Sequence, residues 1–294
     1  MPWTSAYPLD TPKTPPRSKV GECPIWDQQT SGLWYVDIRA PALYGPDPAF
    51  GGVQFWGLPS PVGAFTLTSR GDAIVALKTG LYRLNFLRRD LSFIGHPEPD
   101  RPDNRLNEGC VSPCGRYFVF GSMDDRVTKE ATGALYCLDT DGTIRQIDSG
   151  YVVANGLAWS PDGKILYHSD SRRCVIFASD WNGENGTLAN TRILAEPGEA
   201  EGRPDGAAMD MEGYYWSAGV SAGCLNRFAP DGRLERKISL PVSHPTKPAF
   251  GGEGKNWLFV TSMTPADGPT SPLDGYVIEA PAPVPGLIPP RFLG

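Results

Sequence analysis

Residues 155–163 read NGLAWSPDG: a polar amide, a short apolar run and a tight turn, in that order. Asn155 and Gly156 give a turn signal, and Leu157, Ala158 and Trp159 read as a buried strand. Ser160, Pro161, Asp162 and Gly163 then reverse the chain into a second strand from Lys164 to Tyr167, because proline presets the first turn dihedral and glycine takes the positive one. The unit is a β-hairpin with an amide at its mouth.

The same unit recurs along the chain. It appears as TSGLWYVD (30–37), SRGDAIVAL (69–77), SPCGRYFVFGS (112–122), SPDGKILYHSD (160–170), DMEGYYWSAG (210–219) and GEGKNWLFVTS (252–262). The turn glycines, 32, 71, 115, 163, 213 and 254, are 39, 44, 48, 50 and 41 residues apart. A period near 44, with several short strands in each repeat, is that of a four-stranded propeller blade. A third apolar strand follows each copy: ALYGPD (42–47), GLYRLN (80–85), ALYCLD (134–139), VIFASD (175–180), CLNRFAPDG (224–232) and GYVIEA (275–280). A fourth, more polar strand comes next in most copies, such as VQFWGLP (53–59), TIRQID (143–148) and RLERKISLP (233–241), where charge protects an unpaired edge. Helical periodicity is absent. The chain therefore reads as all-β, a six-bladed β-propeller of four-stranded antiparallel blades. A β-sandwich would not repeat its turn six times at one period.

Composition agrees with that architecture. Gly 34 and Pro 30 exceed average usage and signal many turns, yet the apolar runs between them are regular. All 294 residues read as one domain, with 1–19 as a proline-rich extended arm and 280–294 as a proline-rich C-terminal strap. The ring is expected to close by pairing the arm with a C-terminal strand. A chain this long builds a core without a staple, so any metal here serves chemistry rather than stability. Net charge −6 and the lack of a basic run argue against nucleic acid, and a small solute is the better partner. No membrane-spanning run and no apolar leader are evident, which gives an expectation of a cytoplasmic protein, monomeric or weakly homo-oligomeric. The six cysteines, 23, 110, 114, 137, 174 and 224, are scattered, and the Cys110/Cys114 pair lacks the second pair that a zinc site needs.

In a propeller the innermost strands run along the central channel, so the segment just before each turn lines the funnel. Polar residues there are costly unless they bind something. Copy one places Glu22 there, copy three Arg105, Asn107 and Glu108, copy four Asn155, copy five Asp205, and copy six His244 and Thr246. Glu22, Asn155 and Asp205 stand at equivalent repeat positions, and two carboxylates with an amide on one axis form an oxygen-rich divalent cation site. Hard oxygen donors suit Ca²⁺, Mg²⁺ or Mn²⁺ and do not exclude Zn²⁺ or Fe²⁺. Three ligands leave positions open for water and substrate, the pattern of a catalytic site.

GECPIWD (21–27), RLNEGCVSPCGRYFVFGSM (105–123), VANGLAWSPDGKILYHSDS (153–171) and RPDGAAMDMEGYYWSAG (203–219), with HPTKPAFGG (244–252) and LFVTS (258–262), resemble the SMP-30/gluconolactonase/LRE family of six-bladed propeller lactonases, which includes regucalcin. The resemblance implies Glu22, Asn155 and Asp205 as metal ligands, Asn107 near metal and substrate, and Arg105 on substrate oxygens. It also implies that Asp205 serves as general base. The chain departs from the family pattern at Cys23, where a smaller residue is usual, and at Glu108, where Asp is commoner; Glu108 is expected on the substrate side and His244 at the funnel rim. The expected activity is hydrolysis of a sugar-acid lactone, such as a glucono-, xylono-, arabinono- or galactonolactone. Rival readings are a propeller hydrolase of organophosphates or other esters, a strictosidine-synthase-like propeller, for which the two carboxylates are wrong, and a non-catalytic metal-binding or peptide-reading propeller. A nucleophilic triad is disfavoured: His96 lies in a polar loop without a serine elbow, and His168 reads as a satisfied wall residue. Loops 96–104, 124–132 and 263–273 are expected to set the sugar preference.

Overall fold

The computed structural model describes residues 2–9, 11, 14–49 and 51–294. Its strands form six four-stranded antiparallel sheets, the blades of one ring. Blade one holds β2 (Gly21–Asp27), β3 (Gly32–Asp37), β4 (Ala42–Pro46) and β5 (Val53–Gly57), and blade two β6 (Val62–Leu67), β7 (Ala73–Leu77), β8 (Gly80–Asn85) and β9 (Asp90–Gly95). Blade three is β10 (Asn104–Val111), β11 (Tyr117–Asp124), β12 (Gly133–Asp139) and β13 (Ile144–Tyr151). Blade four is β14 (Ala154–Trp159), β15 (Ile165–Asp170), β16 (Val175–Asn182) and β17 (Thr187–Ala195); blade five is β18 (Pro204–Met209), β19 (Tyr215–Gly219), β20 (Cys224–Phe228) and β21 (Leu234–Ser239). Blade six takes β22 (Pro245–Gly251), β23 (Trp257–Ser262) and β24 (Ile278–Pro281) from the C-terminal end and its outermost strand, β1 (Thr4–Ser5), from the N-terminal arm. Thr4 pairs with Glu279 and Ser5 with Ile278, so the two ends of the chain close the ring as expected.

Every hairpin read from the sequence joins the first two strands of a blade. Burial falls outward: β10 and β11 are almost wholly buried, whereas the fourth strands β9, β17 and β21 hold no buried residue and β17 is largely exposed. Apolar side chains pack between neighbouring blades, with Phe65, Phe118 and Phe120 fully buried; each such ring contributes about 1.5–3 kcal/mol on burial.

One feature of all six inner strands was not read from the sequence. Each carries a bulge in its pairing with the second strand: between Glu22 and Ile25, Val62 and Ala64, Asn107 and Gly109, Asn155 and Ala158, Pro204 and Ala207, and Pro245 and Pro248. A bulge leaves residues out of the ladder and re-aims their side chains. Here the bulges begin at Glu22, Asn107 and Asn155 and enclose Gly63 and Asp205.

The strap begins two residues later than expected, because β24 runs to Pro281. It crosses the hairpin-turn face: Met211 N–H donates to Pro285 O, Ser69 N–H to Phe292 O, and Leu293 N–H to Gly115 O. Together with the inner-strand ends it encloses a cavity of about 540 Å³, lined by residues that include Phe65, Val111, Met209 and Leu287. The bulge residues Leu157 and Lys247 reach the inner end of this cavity, while Glu22, Asn155 and Asp205 stand nearer the other end of their strands.

Candidate active site

Position by position, the bulges build the mouth. In blade two the position is Gly63, where a Cβ would stand 2.0 Å from Leu106 O, so this blade contributes no side chain. Blades one, four and five present Glu22, Asn155 and Asp205, all buried. The Asn155 amide donates directly to the Asp205 carboxylate, and a second donation at 3.2 Å runs to Ser171 Oγ. Glu22 accepts 2.7 Å from the N–H of Cys23, whose φ of 48° is held inside the bulge.

The electrostatics of the three residues are those of concentrated negative charge. Burial, then the charges of Asp205 and Glu108, pushes the Glu22 carboxyl well above its ordinary range. Burial, then the charge of Glu108, lifts Asp205 to about 7. Among the described residues neither carboxylate forms an ion pair with a basic side chain. No cluster of three or more His, Cys, Asp or Glu donors occurs among the described residues, so the candidate set is two carboxylates and one amide. Two buried carboxylates without an ion-paired cation fit a divalent ion, whose charge reverses the penalty each now bears.

Arg105 and Asn107 meet the same mouth from blade three. The Arg105 guanidinium donates 2.7 Å to Asn107 Oδ1, 3.1 Å to Leu106 O and, through Nε, 3.1 Å to Asp125. Asn107 Nδ2 in turn donates 2.9 Å to the carbonyl of Ala154, the residue before Asn155. Both ends of the Asn107 amide are thus engaged within the protein, and its visible work is to fix Arg105 and the start of β14. Burial lowers the Arg105 guanidinium, partly offset by the Asp125 carboxylate. Arg39 shares Asp125 at 2.5 Å, and Lys78 lies 3.9 Å away.

Glu108 does not open onto the funnel. One oxygen accepts 3.0 Å from Leu157 N–H, the other accepts 3.4 Å from Ala207 N–H, and Lys247 of blade six donates to it across the channel. Burial draws the Lys247 ammonium down, but the Glu108 carboxylate overrides this and holds it above its ordinary range. Sequence reasoning passed over Lys247 in favour of its neighbours. His244 is half-buried, its Nδ1 2.8 Å from Ser243 Oγ, and Thr246 donates to Gly21 O at 2.5 Å. The signal was nevertheless present: Lys247 and Glu108 both stand seven residues before their turn glycines, and the same offset in copies four and five holds Gly156 and Gly206. His168 is a wall residue as expected, hydrogen-bonded to Tyr151 Oη and Ser179 Oγ. His96 accepts a local backbone N–H from Glu98.

A closed ring with two carboxylates, two amides and a guanidinium gathered at one mouth defines a propeller with an enzyme-like polar centre rather than an aromatic peptide platform. Residues 20–264 match the SMP-30/Gluconolactonase/LRE-like region, and the chain belongs to that family. It is 35% identical over 283 residues to the 6-deoxy-6-sulfogluconolactonase of Pseudomonas putida, covering 94% of this chain and 96% of the relative. It is 32% identical over 253 residues to regucalcin of Gallus gallus, 84% of each chain. The structure superposes on a luciferin-regenerating enzyme with a TM-score of 0.86 at 27% identity, over 95% of this chain and 96% of that one.

Proposed function

We propose that the chain hydrolyses a sugar-acid lactone to the free aldonic acid at the mouth built from Glu22, Arg105, Asn155 and Asp205, with one divalent metal ion. The observation that carries this reading is the burial of Glu22 and Asp205, neither ion-paired with a basic side chain among the described residues, beside the Asn155 amide that bonds Asp205. The family and the sulfogluconolactonase relative support the lactone class. Glu22, Asn155 and Asp205 hold the ion, which supplies Lewis acidity toward the ring carbonyl when bound.

This chain's own residues do the rest. Asp205 Oδ takes the proton from the attacking water, its carboxylate being oriented at the mouth by the Asn155 amide. Arg105, held in place by Asp125 and Asn107, faces charge developing on the substrate oxygen. The bond broken is the ring acyl–oxygen bond, and the alkoxide leaving group takes up the proton to become a hydroxyl. His244 stands nearby as a substrate contact at the rim, and loops 96–104, 124–132 and 263–273 tune the sugar preference. The proposed setting is cytoplasmic, with a small dissolved substrate; all six cysteines are free, as suits a reducing compartment. A pH-indicator assay across aldonolactones and phosphotriesters tests the reading. Turnover of at least one aldonolactone is expected, and turnover of phosphotriesters alone contradicts it.

A further inference from the structure

Beneath the proposed ligands lies a charged pair that the lactonase chemistry does not use. Lys247 and Glu108 come from blades six and three, both buried, and join across the channel. The stem of Lys247 packs on Gly206, where a Cβ would lie 2.4 Å from Lys247 Cβ. Gly206 is the residue after Asp205, so the lysine runs directly behind that carboxylate. The oxygens of Glu108 accept N–H groups from Leu157 and Ala207, each two residues beyond a proposed ligand. The pair is therefore part of the mouth's charge, not a remote support.

Ionised, Glu22, Asp205 and Glu108 bring three negative charges and Lys247 one positive; Arg105 pairs with Asp125, which the more exposed Arg39 and Lys78 share and which stays the same in every variant below. The buried centre then carries a formal −2, which one divalent ion neutralises. Without Lys247 it carries −3. We propose that Lys247 is an internal counter-charge that sets the centre's formal charge and so selects a divalent over a trivalent cation; the proposal rests on the metal-dependent reading above. Lys247 is a positioning and selectivity residue, since among the described residues its ammonium donates to Glu108 and to none of the proposed ligands.

At an effective dielectric near 20 and a separation of about 10 Å, one unit charge alters affinity by roughly tenfold for each unit of ion charge. The test is calorimetric titration of the purified protein with Ca²⁺ and with Tb³⁺, with melting curves to confirm folding. Lys247→Met is expected to raise the ratio of Tb³⁺ to Ca²⁺ affinity roughly tenfold. Lys247→Arg, which keeps the charge, is expected to leave it near wild type, and Glu108→Gln/Lys247→Met, which restores −2, to return it. Should Lys247→Met fail to fold, Glu108→Gln carries the test, with Ca²⁺ affinity expected to fall at least tenfold. An unchanged ion ratio in folded Lys247→Met, or unchanged Ca²⁺ affinity in Glu108→Gln, overturns the proposal. Wild-type protein that takes up neither ion overturns the metal-dependent reading instead.

Discussion

Arg291 grips Asp27 through two parallel hydrogen bonds, Nε to Oδ1 at 2.9 Å and Nη2 to Oδ2 at 2.7 Å, tying the C-terminal strap to the first hairpin of blade one. Asp27 also accepts from the N–H and hydroxyl of Thr30, so the turn and the strap share one carboxylate. Burial works against its ionisation, but the Arg291 and Thr30 bonds hold the carboxyl below its ordinary range. Because Arg291 is partly exposed, Arg291→Ala is expected to cost about 1–3 kcal/mol rather than the full loss of a buried pair. Urea unfolding measures this. Turnover per folded molecule should stay near wild type, since the strap crosses the face opposite the mouth.

His168 gives stability a pH dependence. Burial holds its imidazole down at about 4 against an ordinary 6.5, so the native chain refuses a proton that the unfolded chain accepts. Stability is therefore complete above about pH 6.5 and is lost as pH falls toward 4, by about 3 kcal/mol for this group. Melting temperatures across that window should show the slope. In His168→Gln the slope should flatten, although the loss of bonds to Tyr151 and Ser179 lowers stability at every pH.

Gly63 marks the blade that leaves the mouth empty, and the reason is steric. A methyl there meets the Leu106 carbonyl at 2.0 Å, with Asn107 Cα at 2.7 Å, and backbone does not yield as a flexible side chain does. Gly63→Ala is expected to destabilise by about 2 kcal/mol or more. Because the strain falls on the backbone carrying Arg105 and Asn107, kcat should drop as well. Thermal unfolding and steady-state kinetics on the one variant check both parts.

The ring was legible in the sequence because its turns are written in Gly, Pro, Asp and Ser at a regular period, and each strand pair is bounded by them. Asn155 and Asp205 were legible for the same reason, each standing eight residues before its turn glycine, while Glu22 stands ten before Gly32 in the matching segment of copy one. The bulges were not, because an unpaired residue in a ladder has no compositional mark, and without them Glu108 reads as facing substrate. Lys247 was missed because a lysine in a strand reads as solvated. Only the small residues Gly156 and Gly206 at the matching offset hint that this layer of the channel is filled from across the axis.

Asp205 joins Asn155 directly and is the residue through which both ion holding and proton transfer run in the proposed chemistry. Asp205→Ala is expected to lower kcat/KM by about 10³-fold or more while the melting curve stays cooperative. Asp205→Asn, close in shape, should be nearly as inactive. Recovery of activity in the amide variant would mean that the charge is not needed.

The most direct measurement is the hydrolysis rate of an active aldonolactone by protein stripped with a chelator, before and after adding back a divalent ion, with folding checked in both states. The expected result is a rate at the uncatalysed background after stripping, restored by about one ion per chain. A rate that stays at the wild-type level in fully stripped, folded protein would contradict an ion held by Glu22, Asn155 and Asp205 as the centre of the chemistry.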